Sequence, residues 1–409
     1  MKKFTIYLEE QKNTHMEHLE DDVLNNGVKG ARDAINFLQS LRDMLSSSTT
    51  RPIDTTVKWD GAPAIFAGID PRDGKFFVAK KGVFNKEPKI YKTSEEIDGD
   101  FGSNDLGTKF KLALSELPKL GITGVIQGDF LYSNDTLGTE VIDGEKLVTF
   151  HPNTIVYTVP YSSELGRKIR ASKIGIVWHT RYVGDSFESM KAEFGKDISS
   201  TLNQTKGVWH TDATYKDVSG TATMTEKETA AITSILSSAG KVFRKIDAKV
   251  LNKIAEDEEI RTRIKTHFNT KVRAGEKIAN PKNHVRGLVN YVIQWYDKQI
   301  ESKKTERGKA PWVQKKKSAM QFFGGSNMSD LTQIFTLMNL IIDAKELIIK
   351  KMDTASSIGT LLKTKNGYEV TSPEGYVAIN NDGKAVKLVN RLEFSRANFS
   401  DDIIKGWQK

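Results

Sequence analysis

VKWDGAPAIF, Val57 to Phe66, sets a lysine and an aspartate two positions apart, follows them at once with glycine, and then runs into an apolar segment. Gly and Pro ahead of an apolar run mark a turn that opens a strand. The same order also mounts an amine at a strand end, where an electrophile can reach it. The strand texture continues to Thr180. APAIFAGI, KFFVAK, GVIQGDFLY, KLVTF, NTIVYTVP and KIGIVWHT are short runs rich in β-branched and aromatic residues, separated by Gly, Asp and Asn. They predict a sheet domain with one helix near Leu106 to Leu117.

Upstream, GVKGARDAINFLQSLRDML carries Ala31, Ala34, Ile35, Leu38, Leu41, Met44 and Leu45 at helical spacing. From about Thr223 the period turns to that of long helices, in three segments that begin ETAAITSIL, HVRGLVNYV and SDLTQIFTL. Between the last two lies KKTERGKAPWVQKKK, Lys303 to Lys317, which reads as a charged loop around Pro311 and Trp312. Gly367 to Val389 returns to strands, with an NDG turn at Asn381 to Gly383. The expected fold is α+β: a sheet domain over 51–220 and 366–409, an N-terminal helical segment over 1–50 packed on it, and an inserted all-α domain over 221–365.

The net charge of +9 is regional. Thr221 to Lys365 holds 27 Lys and Arg against 15 Asp and Glu, so the remainder of the 409 residues is net negative. A local excess of this size suits a polyanion, since each neutralised phosphate releases counterions. With no cysteine, disulfides, thiolate zinc sites and cysteine nucleophiles are excluded. No apolar run is long enough to cross a bilayer. The expectation is a cytoplasmic monomer that does not engage a membrane.

Lys58-Trp59-Asp60-Gly61 resembles the KxDG signature of the covalent nucleotidyltransferases, the polynucleotide ligases and capping enzymes. Later pieces follow in that superfamily's order. Lys80-Lys81-Gly82 resembles the basic residue plus glycine one hairpin on, and Gln127-Gly128-Asp129-Phe130 the glycine-acid motif. KIGIVWHT resembles the aromatic-containing strand, Glu374-Gly375-Tyr376-Val377 matches EGxV, and Val386-Lys387-Leu388-Val389 supplies the lysine-bearing strand. The resemblance covers Thr55 to Thr180 and Gly367 to Val389, and nothing in the helical block.

That resemblance implies ATP and Mg²⁺ or Mn²⁺ as cofactors, with Lys58 attacking the α-phosphate as a neutral amine. Lys387, with Lys384, offsets phosphate charge; Glu374, and Asp129 beside it, hold the metal; Asp129 meets the ribose and Trp178 stacks on the base. Asp60, Gly61, Lys81 and Gly128 complete the nucleotide site, the glycines by letting backbone approach the ligand. The sequence departs from the pattern at Asp129, where glutamate is usual, at Ala62-Pro63, where ligases carry arginine, and at Val389, where many have a second lysine.

After Val389 only 20 residues remain, which leaves no room for the OB-fold of DNA ligases and capping enzymes. RNA ligases of the superfamily use helical accessory domains instead, so RNA is the expected partner ahead of DNA. Lys303, Lys304, Arg307, Lys309, Lys315, Lys316 and Lys317 are the candidate backbone contacts, with Trp312 to stack a base. The competing readings are a nick-sealing DNA ligase and a binder that has lost turnover. The texture is also similar to that of bacteriophage proteins, which implies the host cytoplasm. His15, His18 and Asp22 could share a helical face, but acids near a first turn are explained by the helix dipole without a metal.

Overall fold

The computed structural model describes residues 18–46, 55–215, 223–355, 358–372, 374–379 and 385–408. The chain is mixed α+β with several antiparallel sheets. A small sheet joins β1 (Thr55–Lys58) to β14 (Gly375–Ile379) and β14 to β15 (Ala385–Leu388), in the order β1-β14-β15. The largest sheet is ordered β10-β9-β5-β2-β3-β4, from β2 (Ala64–Ile69), β3 (Phe76–Ala79), β4 (Ile90–Tyr91), β5 (Val125–Ser133), β9 (Ile174–Val183) and β10 (Lys191–Phe194). Strand β11 (Val208–Asp212) runs parallel to β9. A third sheet, β13-β12-β8-β7-β6, takes β6 (Gly138–Ile142), β7 (Glu145–Phe150) and β8 (Ile155–Pro160) from the middle of the chain. It adds β12 (Gly359–Thr364) and β13 (Gly367–Val370) from its end.

The expected strand runs and the helix near Leu106 are present, the latter as Asp105–Glu116 with Asn104 capping it. Three expectations need correction. The first long segment after Thr223 is broken into Glu226–Phe243 and Ala248–Glu256, and a further helix, Glu258–Arg273, opens where it ends. The side chains of Asp247 and Asp257 accept N–H bonds at the starts of the later two, and such caps end one helix while opening the next. The segment Lys303 to Lys317 is largely helix, Glu306–Phe323, capped by Thr305. Pro311 sits inside it near the N-terminal end, where it removes one ladder donor without ending the helix. Finally the helices stop at Met352, a short 3₁₀ turn follows, and β12 already belongs to the third sheet, so the return begins before residue 366.

The N-terminal helix Gly27–Leu45 packs into the helical body, where Ala31, Ala34, Leu38 and Leu41 share one core with Leu236, Leu251, Phe335, Met338 and Ile341. That core also takes in Tyr376, Ala378, Val386 and Leu388, which are the back of the small sheet. The helices are therefore continuous with the strands that carry the last motifs. Each face of the largest sheet has its own core: Ile126, Phe130, Ile174, Ile176 and Trp178 cover helix Asp105–Glu116, and Leu131, Tyr132 and Val177 meet Phe150, Tyr157 and Val159 of the third sheet. Among the described residues no helix is long and apolar enough to cross a membrane.

Where the N-terminal segment enters this core it brings charge. Lys345 donates to Glu20 over 2.6 Å with both side chains wholly buried, and Arg391 adds Asp21 at 2.8 Å and Glu20 at 3.5 Å. Burying ions costs several kcal/mol each, so removing one partner is far worse than removing both. Lys345→Met is expected to lower unfolding free energy by about 3–5 kcal/mol in urea titration. Glu20→Leu combined with Lys345→Met should recover most of that loss.

Candidate active site

Register assembles the site. Lys58 lies opposite Gly375 and Thr56 opposite Val377, and Val377 lies opposite Lys387 on the other side. Because strand side chains alternate with period two, Lys58 and Lys387 emerge from one face of the small sheet. Tyr376, Ala378, Val386 and Leu388 take the other face, in the helical core. Glu374, immediately before β14, forms an ion pair with the Lys58 ammonium, and the two side chains are 10% and 25% exposed.

Desolvation dominates the electrostatics. Burial holds the Glu374 carboxyl above its usual range, against the pull of Lys58. Burial, then the Lys58 charge, brings Lys387 down to about 8. Asp129 on β5 is pushed up to about 7, by burial first, while Lys58 opposes the shift and Asp60 adds to it. Lys58 is the shared neighbour: its charge acts on Glu374, Lys387 and Asp129, which come from opposite ends of the chain.

Asp60 is used differently from the expectation. Its carboxylate accepts from Asn153 Nδ2 at 2.6 Å, Thr154 N at 2.5 Å and Ile155 N at 2.8 Å, and its own N–H donates to Tyr157 Oη at 2.6 Å. It is a structural acid that ties the turn after β1 to the start of β8. Gly61 is needed for a protein contact: a Cβ there would come within 2.4 Å of Asp129 Cβ. At Gly128 a Cβ would come within 2.3 Å of Val177 O on β9. Neither glycine is explained by a ligand.

Trp178 does not stack on a ligand. It is fully buried in the core against helix Asp105–Glu116. Lys81 is exposed at the start of a 3₁₀ turn, Lys81–Phe84, because β3 ends at Ala79. Lys384 and His15 lie outside the described residues. His18 is half-buried beside Phe394, with its ring held down to about 3 by desolvation, and is no exposed ligand. The basic set is partly spent within the protein. Lys309 pairs with Glu306, Lys316 with Asp297 and Lys315 with Glu259. Trp312 meets Trp295 edge-on at 5.9 Å, with the ammoniums of Lys303 and Lys315 over its ring at 5.4 and 5.1 Å. Lys304, Arg307 and Lys317 are exposed.

Two residues at the site were missed. Tyr157 comes from the third sheet, and its hydroxyl is held well above the usual range by burial first and then by Asp60, Glu374 and Asp129. His179 follows Trp178, and its Nε2 lies 3.9 Å from Asp129 Oδ2. The sequence of β9 alone gives no signal for His179, whose facing depends on the register with β5.

The model of a family of unknown function, DUF6267, matches residues 13–402. The chain belongs to that family. No curated protein and no solved structure matches the chain. The match runs through the helical body as well as both sheet segments, so the cluster and the helices that back it are parts of one family unit.

Two predictions follow from these environments. The Asp129 carboxyl has an ordinary value near 3.9 in an unfolded chain and about 7 here. Between those pH values the folded state holds a proton that the unfolded state has released, so stability falls as pH rises through the window. Asp129→Asn removes that cost and should be more stable than the parent at pH 8 by about 1 kcal/mol, a modest figure because the side chain keeps 21% exposure. The difference should vanish near pH 4 in urea unfolding. Trp178→Ala should cost about 3–5 kcal/mol of stability as a core truncation, whereas Trp178→Phe, which keeps an aromatic ring in that core, should cost less in urea unfolding.

Proposed function

We propose that the Lys58 cluster is the nucleotidyl-transfer site of an ATP-dependent ligase that joins RNA ends. The observation that carries this reading is the convergence of Lys58, Glu374 and Lys387 on one sheet face, with Asp129 in the same field. An ordinary surface turn has no use for a lysine paired with a partly desolvated acid beside another lysine, Lys387, that burial pushes down.

In the proposed first step Lys58 Nζ loses a proton and attacks the α-phosphorus of ATP. A nitrogen–phosphorus bond forms, and the bond to the pyrophosphate oxygen breaks, the electron pair leaving with pyrophosphate. Lys387 offsets the charge on the phosphates. An oxygen of a 5′-phosphate end then attacks the lysyl-AMP phosphorus as the nitrogen–phosphorus bond breaks and the amine takes up a proton. A 3′-hydroxyl, giving its proton to water, attacks the 5′ phosphorus and displaces AMP with the bridging oxygen.

The residues present fit a shared divalent ion better than a preformed cage. Among the described residues no three His, Asp or Glu converge to hold a metal, and Mg²⁺ usually takes one or two carboxylates together with substrate phosphates and water. Glu374 and Asp129 would supply those carboxylates, and the ion, Mg²⁺ or Mn²⁺, would neutralise phosphate charge. The helical body would grip the strand backbone, with Lys304, Arg307 and Lys317 the exposed cations of the set.

Incubation with α-labelled ATP and magnesium, followed by denaturing electrophoresis, is expected to leave label on the protein. Lys58→Ala should abolish it, and Lys387→Ala should slow labelling by about a hundredfold. Label that persists in Lys58→Ala names the wrong nucleophile, and no label with any triphosphate favours a binder without turnover. Reversing Lys304, Arg307 and Lys317 to glutamate should weaken RNA binding while sparing lysyl-AMP formation; unchanged sealing removes the helical body from the reading.

A further inference from the structure

Lys387 has no carboxylate for a partner. Glu374 is taken by Lys58, and among the described residues no acid lies within ion-pair distance of the Lys387 ammonium. That ammonium stands instead over the ring of Phe394, 4.0 Å from its centroid. The face of an aromatic ring carries negative charge density, so a half-buried cation is stabilised there.

The ring is held in place from several directions. Val389 and Asn390 alone separate β15 from helix Arg391–Phe399, and the Asn390 side chain caps that helix by accepting from Glu393 N at 3.2 Å. Arg391 donates to Asp21 at 2.8 Å and to Asn269 at 2.7 Å. Glu393 accepts from Thr371 Oγ1 at 2.9 Å and from Ser372 N at 3.2 Å, in the loop that leads into Glu374. The first turn of the helix therefore ties the N-terminal segment and the helical body to the strand ends that carry the site. His18 meets the Phe394 ring edge-on at 6.5 Å and pairs through its backbone with Lys387. Phe394 also lines one small cavity together with Glu374 and Asp60.

A carboxylate in the place of this ring would cancel the charge of Lys387 and repel a phosphate. An aromatic face replaces part of the lost hydration yet leaves the net charge whole. It covers one side of the ammonium, whose three N–H donors still reach oxygens on the other. We propose that Phe394 is a positioning residue for nucleotidyl transfer, its ring seating the Lys387 ammonium, unpaired, on the sheet face shared with Lys58, where the phosphates of the donor triphosphate meet it. This rests on the nucleotidyl-transfer reading above.

The test is the rate of protein labelling by α-labelled ATP with magnesium, followed against ATP concentration. It compares wild type, Phe394→Leu, Phe394→Tyr, Lys387→Ala and the double variant of Phe394→Leu with Lys387→Ala, with folding checked by urea unfolding. Phe394→Leu keeps apolar bulk without a ring face and should slow labelling at saturating ATP by about tenfold, while Phe394→Tyr should keep most of the rate. Once Lys387→Ala is present, adding Phe394→Leu should slow labelling by less than about twofold, because the seat has lost its occupant. If Phe394→Leu does not fold, progressive fluorination of a phenylalanine at that position carries the test: it drains the ring face with little change of shape, and the rate should fall stepwise. Equal slowing by Phe394→Leu with and without Lys387, or a rate indifferent to fluorination, reduces Phe394 to packing and overturns the assignment. Wild type that labels while Phe394→Leu loses nothing removes the seat alone. Wild type that labels with no triphosphate removes the ligase reading itself, and this inference with it.

Discussion

Everything at the site turns on bringing the Lys58 ammonium against the Glu374 carboxylate in partly dry surroundings. Neither charge is fully buried, yet neither keeps the hydration it has in an open chain. The protein answers with compensation on both sides. Lys387 and Asp60 act on Glu374 and Lys58 acts on Asp129, while burial drives Lys387, Glu374 and Asp129 toward their neutral forms. Groups held in that condition respond to a nearby phosphate or proton far more than exposed ones do. The arrangement costs stability, which the surrounding cores offset.

Asp60 is the joint that makes the arrangement repeatable. Its three accepted hydrogen bonds and its amide bond to Tyr157 pin the turn after β1 to the third sheet, while β1 itself belongs to the small sheet and β2 to the large one. Three sheets meet there. The lysine, aspartate and glycine of the opening motif therefore divide their labour: one faces the site, one locks the turn, and one makes room for Asp129.

The strands of the middle region were legible because apolar and β-branched runs between Gly and Asp have few other readings, and the helix Gly27–Leu45 because its apolar period is unbroken. Pro311 misled the reading of Lys303 to Lys317, since a proline near a helix start is tolerated and the cap at Thr305 carries more weight. At the site, residue types pointed to Lys58, Glu374 and Lys387, but the meeting of those three depends on the β1–β14–β15 register, which no local pattern encodes. The choice of Trp178 over His179 failed for a similar reason. A bulge shifts the facing of a strand by one residue, and its position is set by backbone pairing with β5, invisible in the sequence of β9 alone. Asp60 looked like a ligand because its three backbone and amide donors come from a loop almost a hundred residues away.

The shared core of the helices and the small sheet has a consequence for how such a chain can change through descent. Phe335, Met338 and Ile341 pack in the same apolar mass as Tyr376, Ala378, Val386 and Leu388, behind the strands bearing Lys58 and Lys387. An ancestor could not have exchanged this helical bundle for another, as a bead on a string is exchanged, without exposing the underside of the small sheet. The two halves must be inherited together, and drift in either is constrained by the fit of the other.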